Sequence, residues 1–277
     1  MIEIKYISSN GKEHNLIGDK MRVKSGNYHK YSWGKDVQKN RIGERLLNFT
    51  KDSVSYGITL IFRGDLAERK KELDNLRNDF EYDILNQTAG KLLFGEYYIK
   101  GFVTESETKV SGIWNNWTED NIEFYCPYPF WIKETEYHFK TASITSTGNK
   151  QYPYKYPYRY ANGMKDSFVI NEHIAPVHFK LRIYGTCANP FIVIGGHTYR
   201  VQTILETGEY LEIDSVSETV IKTKVDGTKV NVFHYRSEDC FKKILPGRQT
   251  INWPGQFDFD LILYEERSEP KWQTNSK

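Results

Sequence analysis

Several features that would assign this chain to a familiar class are missing from its sequence. Its apolar runs are all shorter than the ~20 residues that a membrane-spanning helix needs, and the mean hydropathy of −0.64 is typical of a soluble protein. The 3 cysteines, Cys126, Cys187 and Cys240, are odd in number and far apart. This argues against a disulfide framework and favours reading each as a small buried apolar residue.

The chain also lacks an excess of charge of either sign. The 38 basic and 36 acidic residues leave a net charge of +2, spread over both halves of the chain. Nucleic-acid binding rests on concentrated positive charge, so the sequence does not favour a nucleic-acid partner. The first residues lack the basic and apolar pattern of a secretion signal, and we expect a chain that folds in a cytosol-like compartment.

Motifs of catalysis are absent as well. The sequence contains no phosphate-binding loop, dinucleotide fingerprint, serine nucleophile elbow or zinc-protease helix. Asp258 and Asp260 share the polar side of a predicted strand and could pair as catalytic carboxylates. Because they alternate with apolar residues, solvent exposure is the simpler interpretation. We therefore expect a protein that is not an enzyme, and a wall hydrolase is a remote alternative.

The histidines give little support for a metal site. His173 and His178 are the one close pair, while His234 with Cys240 or His178 with Cys187 are further combinations. Structural zinc sites usually draw four ligands from tight sequence pairs, and none is present. The sequence predicts no metal and no cofactor.

The chain is rich in aromatic residues, with 20 Tyr, 15 Phe and 6 Trp among its 277 residues. Such residues suit strands, so the composition predicts a mainly β protein. Beyond residue 166, short alternating strands are separated by turn signals such as Gly195-Gly196 and Asp226-Gly227. This spacing is typical of a β-sandwich or jelly roll.

One helix is predicted in the first half of the chain. A strand at 54–62 contains Gly57, which suggests a bulge or a close backbone approach. Asp65 with Glu68 three residues later resembles a capping box. Leu66, Leu73, Leu76 and Phe80 then share one helical face, which we expect to pack on a sheet.

A tyrosine- and proline-rich stretch at 151–160 divides the chain. Proline fixes its own φ and removes a backbone donor, so neither a helix nor a central strand can cross this stretch. We expect a stiff connector between two folded units, with an aromatic loop on one larger domain as the alternative. The candidate connector residues are Tyr152, Pro153, Tyr154, Tyr156, Pro157, Tyr158 and Tyr160.

Four segments, in this order, resemble the distal tail protein (Dit) family of long, non-contractile phage tails. They are Phe-Tyr-Cys-Pro-Tyr-Pro-Phe-Trp at 124–131, Tyr-Gly-Thr-Cys-Ala-Asn-Pro-Phe-Ile-Val-Ile-Gly-Gly-His-Thr-Tyr at 184–199, Gly-Glu-Tyr-Leu-Glu-Ile-Asp at 208–214 and Leu-Pro-Gly-Arg-Gln-Thr-Ile at 245–251. The resemblance covers most of the chain and is clearest from about residue 120 to 265.

The resemblance implies a division of the chain and a fold. It implies a β-rich, belt-type domain with one α-helix at 1–140 and a galectin-like β-sandwich at 166–268. The sequence itself predicts the connector between them, at 141–165, and a polar tail at 269–277. The first domain of such proteins assembles as a hexameric ring, and the sandwich projects from it.

The resemblance also implies partners and a location. The ring joins the tail-tube protein to the tail-associated lysin or hub protein, with a receptor-binding protein as a further possible partner. The implied place is the tip of a virion tail assembled in the bacterial cytoplasm. The alternative function is carbohydrate binding on host cell-wall glycans, with Trp114, Trp117, Trp253 and Trp272 as candidates for stacking on sugar rings.

Overall fold

The computed structural model describes residues 2–109, 117–141 and 165–272, with the side chains of 165 and 166 left out. These residues are mostly strands, with a single α-helix among them, so the predicted fold class is confirmed. The candidate connector residues Tyr152, Pro153, Tyr154, Tyr156, Pro157, Tyr158 and Tyr160 lie outside the described residues, and so does Trp114.

The chain forms two compact units. Unit 1 comprises Met1–Lys133 with Glu266–Lys277, and unit 2 comprises Glu134–Glu265. The division at 1–140, 141–165, 166–268 and 269–277 stays a prediction.

The elements of unit 1, up to the strand that enters unit 2, are β1 (Ile4–Ile7), β2 (Glu13–Asn15), β3 (Met21–Gly26), β4 (Gly34–Lys39), β5 (Glu44–Thr50), β6 (Val54–Arg63), α1 (Leu66–Leu85), β7 (Gly90–Phe94), β8 (Tyr97–Lys109), β9 (Trp117–Cys126) and β10 (Trp131–Phe139). Those that follow are β11 (Lys165–Asn171), β12 (His178–Tyr184), β13 (Cys187–Ala188), β14 (Phe191–Ile194), β15 (His197–Val201), β16 (Ile204–Leu205), β17 (Tyr210–Asp214), β18 (Thr219–Thr223), β19 (Lys229–Asn231), a 3₁₀ turn (Phe233–Tyr235), β20 (Arg236–Ser237), β21 (Gly247–Trp253) and β22 (Phe259–Arg267).

Unit 1 contains two antiparallel sheets that share β8. The first half of β8 pairs with β7 and, at Tyr98, with β10, and β7 continues through β1 to β2. The second half of β8 pairs with β9, which continues through β6 to β3. One apolar cluster draws buried side chains from both sheets, among them Ile99, Leu60 and Phe124.

Gly101 lies at the point where β8 changes partners. A Cβ at this position would come within 2.3 Å of the carbonyl oxygen of Tyr125, so the close approach of the two strands requires glycine. Gly101 is therefore a point of close packing inside a strand, whereas Gly95 forms the turn between β7 and β8 at a φ of +61°.

Helix α1 begins where the sequence predicts. Gly64 turns the chain at a φ of +114°, and the Asp65 side chain accepts a hydrogen bond from the backbone N of Glu68 at 2.7 Å. Leu73, Leu76 and Phe80 are buried, but Leu66 is exposed. The prediction for Leu66 was wrong because the core cluster meets the helix only from Leu73, about two turns further on.

The prediction for Gly57 was also wrong. The pairing of β6 with β9 runs without a shift from Val54 to Arg63, and a Cβ at Gly57 would meet no atom within 4 Å. The side chain at this position would point away from the core, so glycine is tolerated here and not required.

Unit 2 is a β-sandwich. One sheet has the order β19-β18-β17-β12-β22, and the other has the order β11-β21-β14-β15-β20. Alternate residues are buried in the central strands, as in Leu181 and Ile183 of β12 and Ile192 and Ile194 of β14. The inner faces of both sheets contribute to one apolar cluster, which is the arrangement expected of packed antiparallel sheets.

The predicted turns of unit 2 are present. Gly195 and Gly196 both have positive φ, +56° and +81°, and join β14 to β15 as a two-residue hairpin loop. Gly227 has a φ of +82° between β18 and β19, which pair as the sequence predicts.

Candidate interaction surfaces

The inner side of α1 is fixed by a buried carboxylate. Asp83 is fully buried and accepts hydrogen bonds from the hydroxyl groups of Tyr6, Ser8 (2.6 Å) and Ser9 (2.7 Å) and from the backbone N of Ser9 at 2.8 Å. Burial, followed by the bond to Asp83, raises the pKa of Tyr6, so its hydroxyl stays a donor. These contacts attach the end of the helix to β1 and the turn that follows it.

Asp79, one helical turn before Asp83, makes a second attachment, to the turn after β1 and to β2. Its carboxylate accepts from Nζ of Lys12 at 2.9 Å and Nδ2 of Asn10 at 2.9 Å, and it lies 2.7 Å from Nε2 of His14. Burial alone would raise the pKa of Asp79, but these hydrogen bonds outweigh it and hold the pKa below its usual value. Asp79 therefore stays ionised inside unit 1.

A third polar contact ties the middle of α1 to the other sheet. Arg77 donates to Oδ1 of the fully buried Asp120 at 2.9 Å, and Ser106 and Thr108 also donate to this carboxylate. The helix is thus held to both sheets of unit 1 by charged groups. Its outer side is left for other contacts.

The hairpin formed by β4 and β5, residues 34–50, is amphipathic. Directly paired residues of an antiparallel hairpin share a face, and the pairs Lys35 with Phe49 and Val37 with Leu46 lie on one face. The pairs Asp36 with Asn48 and Gln38 with Arg45 lie on the other. We call the first the apolar face of the hairpin.

The apolar face of the hairpin is uncovered. Leu46 and Phe49 are 48% and 56% exposed, and in the described chain β4 and β5 pair only with each other. Ile42 at the tip and Leu47 in the strand bulge are also exposed. A two-stranded hairpin is marginally stable alone in water, so this element needs a surface to pack on.

The outer side of α1 exposes acidic, polar and apolar side chains together. Asp74, Asn78, Glu81, Tyr82 and Leu85 are spaced as i, i+4, i+7, i+8 and i+11, so they share one face, and all are exposed. We call this set the outer stripe of α1. No basic residue lies in the last turn of the helix, where the helix dipole is negative.

Unit 2 has an exposed aromatic patch of its own. Phe168 on the edge strand β11 is 46% exposed, and the guanidinium of Arg248 lies 4.0 Å from the centre of its ring. Ser167 and Thr250 line the same shallow surface.

One cluster of potential metal ligands occurs among the described residues. Nδ1 of His138 lies 2.7 Å from Asp260 and Nε2 lies 4.0 Å from Glu136, while Tyr184 donates to the second oxygen of Asp260 at 2.6 Å. The hydrogen bond to Asp260 raises the pKa of His138, so an imidazolium between two carboxylates accounts for the arrangement.

The structure does not gather the histidine and cysteine residues considered for zinc into such a cluster. His173 contacts the backbone of Ala175, and His178 contacts the hydroxyl of Ser215. Cys187 and Cys240 are free thiols, as is Cys126. Asp258 and Asp260 do not form a carboxylate pair of their own, because Asp258 accepts from Thr141 and Asp260 from Tyr184.

The tryptophans proposed for sugar stacking are placed differently from one another. Trp253 is buried against Phe139 and Phe259 in the core of unit 2, so its assignment as a stacking residue was wrong. Trp117 is half-buried, and Trp272 is exposed with its ring stacked on His29 at 3.9 Å.

Comparison with known proteins places this fold in one class. Family profiles and curated protein sequences give no match. Solved structures do, and the neighbours are hub and baseplate proteins of bacteriophage tails. The chain therefore has a Dit-like fold, and the resemblance predicted from the sequence motifs is confirmed at the level of the fold.

The first neighbour is the Dit protein of phage SPP1, described as a paradigm of the hub adsorption apparatus in phages that infect Gram-positive bacteria. Its TM-score is 0.59 at 12% identity, over 95% of this chain and 99% of that chain. A chain of the phage p2 baseplate in its activated conformation with Ca gives a TM-score of 0.66 at 14% identity, over 98% and 100%. The same baseplate with Sr gives 0.65.

Among the described residues, no helix is long and apolar enough to cross a membrane.

Proposed function

We propose that this chain is a structural protein of a phage virion, the distal tail hub or baseplate adaptor. In this role it forms a ring of six copies that links the tail tube to the tail-tip lysin or receptor-binding proteins. The chain works by assembly and docking and not by catalysis, and its place is the tail tip of a virion built in the host cytoplasm.

One observation carries the proposal. The similarity to phage hub and baseplate chains extends over at least 95% of this chain and 99% of each neighbour, so both units contribute to it. The uncovered apolar face of the hairpin adds support, because exposed apolar patches rimmed by charge mark protein interfaces.

The test is the assembly state of the purified chain. Native mass spectrometry and negative-stain microscopy over a concentration series are expected to show closed rings of six copies. A chain that stays monomeric at the highest concentration reached, with no rings on the grid, would overturn the proposal. Rings of another copy number would keep a ring-forming protein but reject the hexamer.

Carbohydrate binding is the second candidate, and the patch at Phe168 favours it. An exposed aromatic ring beside an arginine and hydroxyl side chains offers both a stacking surface and hydrogen-bond donors for a sugar. Host cell-wall fragments are expected to retain the chain, and Phe168→Ala is expected to release it, while Ile174→Ala serves as an exposed control in unit 2. No retention of the wild-type chain would reject this candidate.

A further inference from the structure

We propose that the hydroxyl group of Tyr137 closes the free edge of β11 and so keeps unit 2 from pairing, strand to strand, with unit 2 of a second copy of this chain. Both Tyr137 and β11 belong to unit 2. This role therefore does not depend on the ring proposed above.

β11 is the outer strand of its sheet. In the described part of the chain it pairs with β21 and with no other strand. Phe168 lies opposite Thr250, whose carbonyl oxygen accepts from the backbone N of Gly195 on the other side of β21. Because backbone groups alternate in direction along an antiparallel pair, Phe168 and Ile170 direct their N–H and C=O groups away from the sheet.

The outer strands β19 and β20 of unit 2 are protected by their length and charge. They have 3 and 2 residues and include Lys229 and Arg236. Short edge strands and charged side chains both discourage pairing between sheets. β11 lacks this protection, because it has 7 residues and its stretch Ser167–Asn171 contains neither a charged residue nor proline.

Tyr137 supplies the protection that the sequence of β11 lacks. Its hydroxyl donates to the carbonyl oxygen of Ile170 at 2.9 Å and accepts from the backbone N of Ile170 at 3.4 Å. In an antiparallel pair, the residue opposite Ile170 would make these same two bonds. The hydroxyl therefore takes the place of a neighbouring strand, and a second copy cannot pair at this position without displacing it.

The ring of Tyr137 holds the hydroxyl at this edge. Tyr137 belongs to β10, and its ring packs against the apolar cluster of unit 2. Displacing the hydroxyl would expose apolar surface of the ring to water, which is unfavourable. The edge that it closes is apolar, because Phe168 and Ile170 are 46% and 45% exposed on one face of β11. An edge of this kind is a predicted site of association.

The pairing that Tyr137 prevents is between two β11 strands. Every copy has the same outward backbone groups at Phe168 and Ile170, so two copies related by a two-fold axis could pair these strands antiparallel. Such a contact joins identical surfaces and is isologous, whereas the contacts that close a ring of six copies are heterologous. Pairing at β11 would therefore link copies in a way that does not build the ring.

The first experiment removes the hydroxyl and keeps the ring of the side chain. Copies carrying Phe168→Cys are mixed with copies carrying Ile170→Cys and oxidised mildly, which reports each alignment of the outward positions. Adding Tyr137→Phe to both is expected to increase the disulfide-linked pairs of chains by about fivefold or more. The chain with its own cysteines Cys126, Cys187 and Cys240 gives the background.

Tyr235→Phe is the matched control for this change. Tyr235 is 58% exposed in unit 2, and in the described chain its hydroxyl makes no hydrogen bond. Hydrogen exchange at the Ile170 amide, measured in dilute solution, is expected to rise in Tyr137→Phe and to stay unchanged in Tyr235→Phe. Far-UV circular dichroism verifies that both variant chains are folded.

The second experiment closes the edge by another means. Ile170→Lys places a charge on β11 that repels the same residue of a second copy. In copies that carry Tyr137→Phe and the reporter Phe168→Cys, this change is expected to return the linked pairs to the background. The chain is otherwise the same, so the comparison isolates the strand edge.

The outcomes decide the role of Tyr137 without reference to ring formation. Equal amounts of linked pairs with and without the hydroxyl would reject it, whether both amounts are low or both are high. An increase that Ile170→Lys leaves unchanged would show pairing through another surface and would also reject it. A wild-type chain that forms no ring would overturn the proposed function and leave this inference standing.

Discussion

The interiors of the two units are stabilised by different kinds of contact. Unit 1 buries charged groups at the centre of its structure, with Asp79, Asp83 and Asp120 each connecting α1 to a sheet or strand. Unit 2 has at its centre a set of aromatic rings, in which Phe259 stacks on Phe139 at 4.5 Å and meets Trp253 edge to face at 5.2 Å.

The difference follows from the elements that each unit packs. Two sheets present broad apolar faces to each other and need no directional contact to close. The single amphipathic helix of unit 1 presents only a narrow apolar stripe to the sheets, formed by Leu73, Leu76 and Phe80. Buried hydrogen-bonded carboxylates therefore set the position of the helix, at a cost in stability that apolar residues would avoid.

The largest expected effect is in the core of unit 2. Phe259→Ala removes a fully buried ring and leaves a cavity, so we expect a loss of about 4 kcal/mol of unfolding free energy. Denaturant unfolding measures the total, and hydrogen exchange should show the loss in unit 2. The control is Phe168→Ala, whose ring is exposed on the same unit. Equal losses in the two variants would contradict the description of the core.

Removal of the Asp83 carboxylate is expected to have the next largest effect, in unit 1. Asp83→Ala leaves the hydroxyls of Tyr6, Ser8 and Ser9 without their buried acceptor, and we expect a loss of about 3 kcal/mol. Hydrogen exchange should rise in α1 and β1. Asp74→Ala on the exposed side of the same helix is the control. Unchanged exchange in α1 would show that apolar packing alone places the helix.

Acid should weaken unit 1 through Asp79. The pKa of this group is depressed in the folded chain, so its contribution is present above the ordinary value of 3.8 and is lost as the pH falls through the lower folded value. Unfolding midpoints measured between about pH 5 and pH 2 should fall, with exchange rising first at the hairpin of β1 and β2. Asp79→Asn should flatten this dependence, and an unchanged profile in that variant would contradict the assignment.

The smallest effect is expected at His138 in unit 2. The raised pKa means that its contribution is present below the ordinary value of 6.5 and is lost as the pH rises through the folded value. Because this histidine is exposed, solvent screens the pair with Asp260. We expect no measurable shift of the unfolding midpoint for His138→Gln. A clear shift at low pH, absent at high pH, would show a stronger ion pair than the geometry indicates.

Local signals in the sequence predicted the strands of unit 2 and the start of α1 correctly. The alternation in β12, the glycines at 195 and 196 and the Asp65 cap each involve only residues that are close together in the sequence. The buried role of Asp83 could not be predicted, because its partners Tyr6 and Ser8 are more than 70 residues away. An acidic residue four positions after another on a helix is usually on the solvent side.

The hairpin at 34–50 was missed for a different reason. The pairing shifts between Asp36 and Val37, and this bulge interrupts the alternation that marks a strand. The turn itself could have been predicted from its residue types, Asn40 and Gly43. In the structure Gly43 has a φ of +76°, and the backbone N of Asn40 donates to the carbonyl oxygen of Gly43. The role of the connector at 151–160 stays a prediction, since those residues lie outside the described part of the chain.

The sharing of β8 between two sheets has a mechanical consequence. A strand that is hydrogen-bonded to β7 at one end and to β9 at the other cannot leave one layer without loosening the other. Force applied along such strands loads many backbone hydrogen bonds at once, in shear, instead of opening them one after another. Unit 1 should therefore resist pulling up to a threshold and then yield in a single cooperative step.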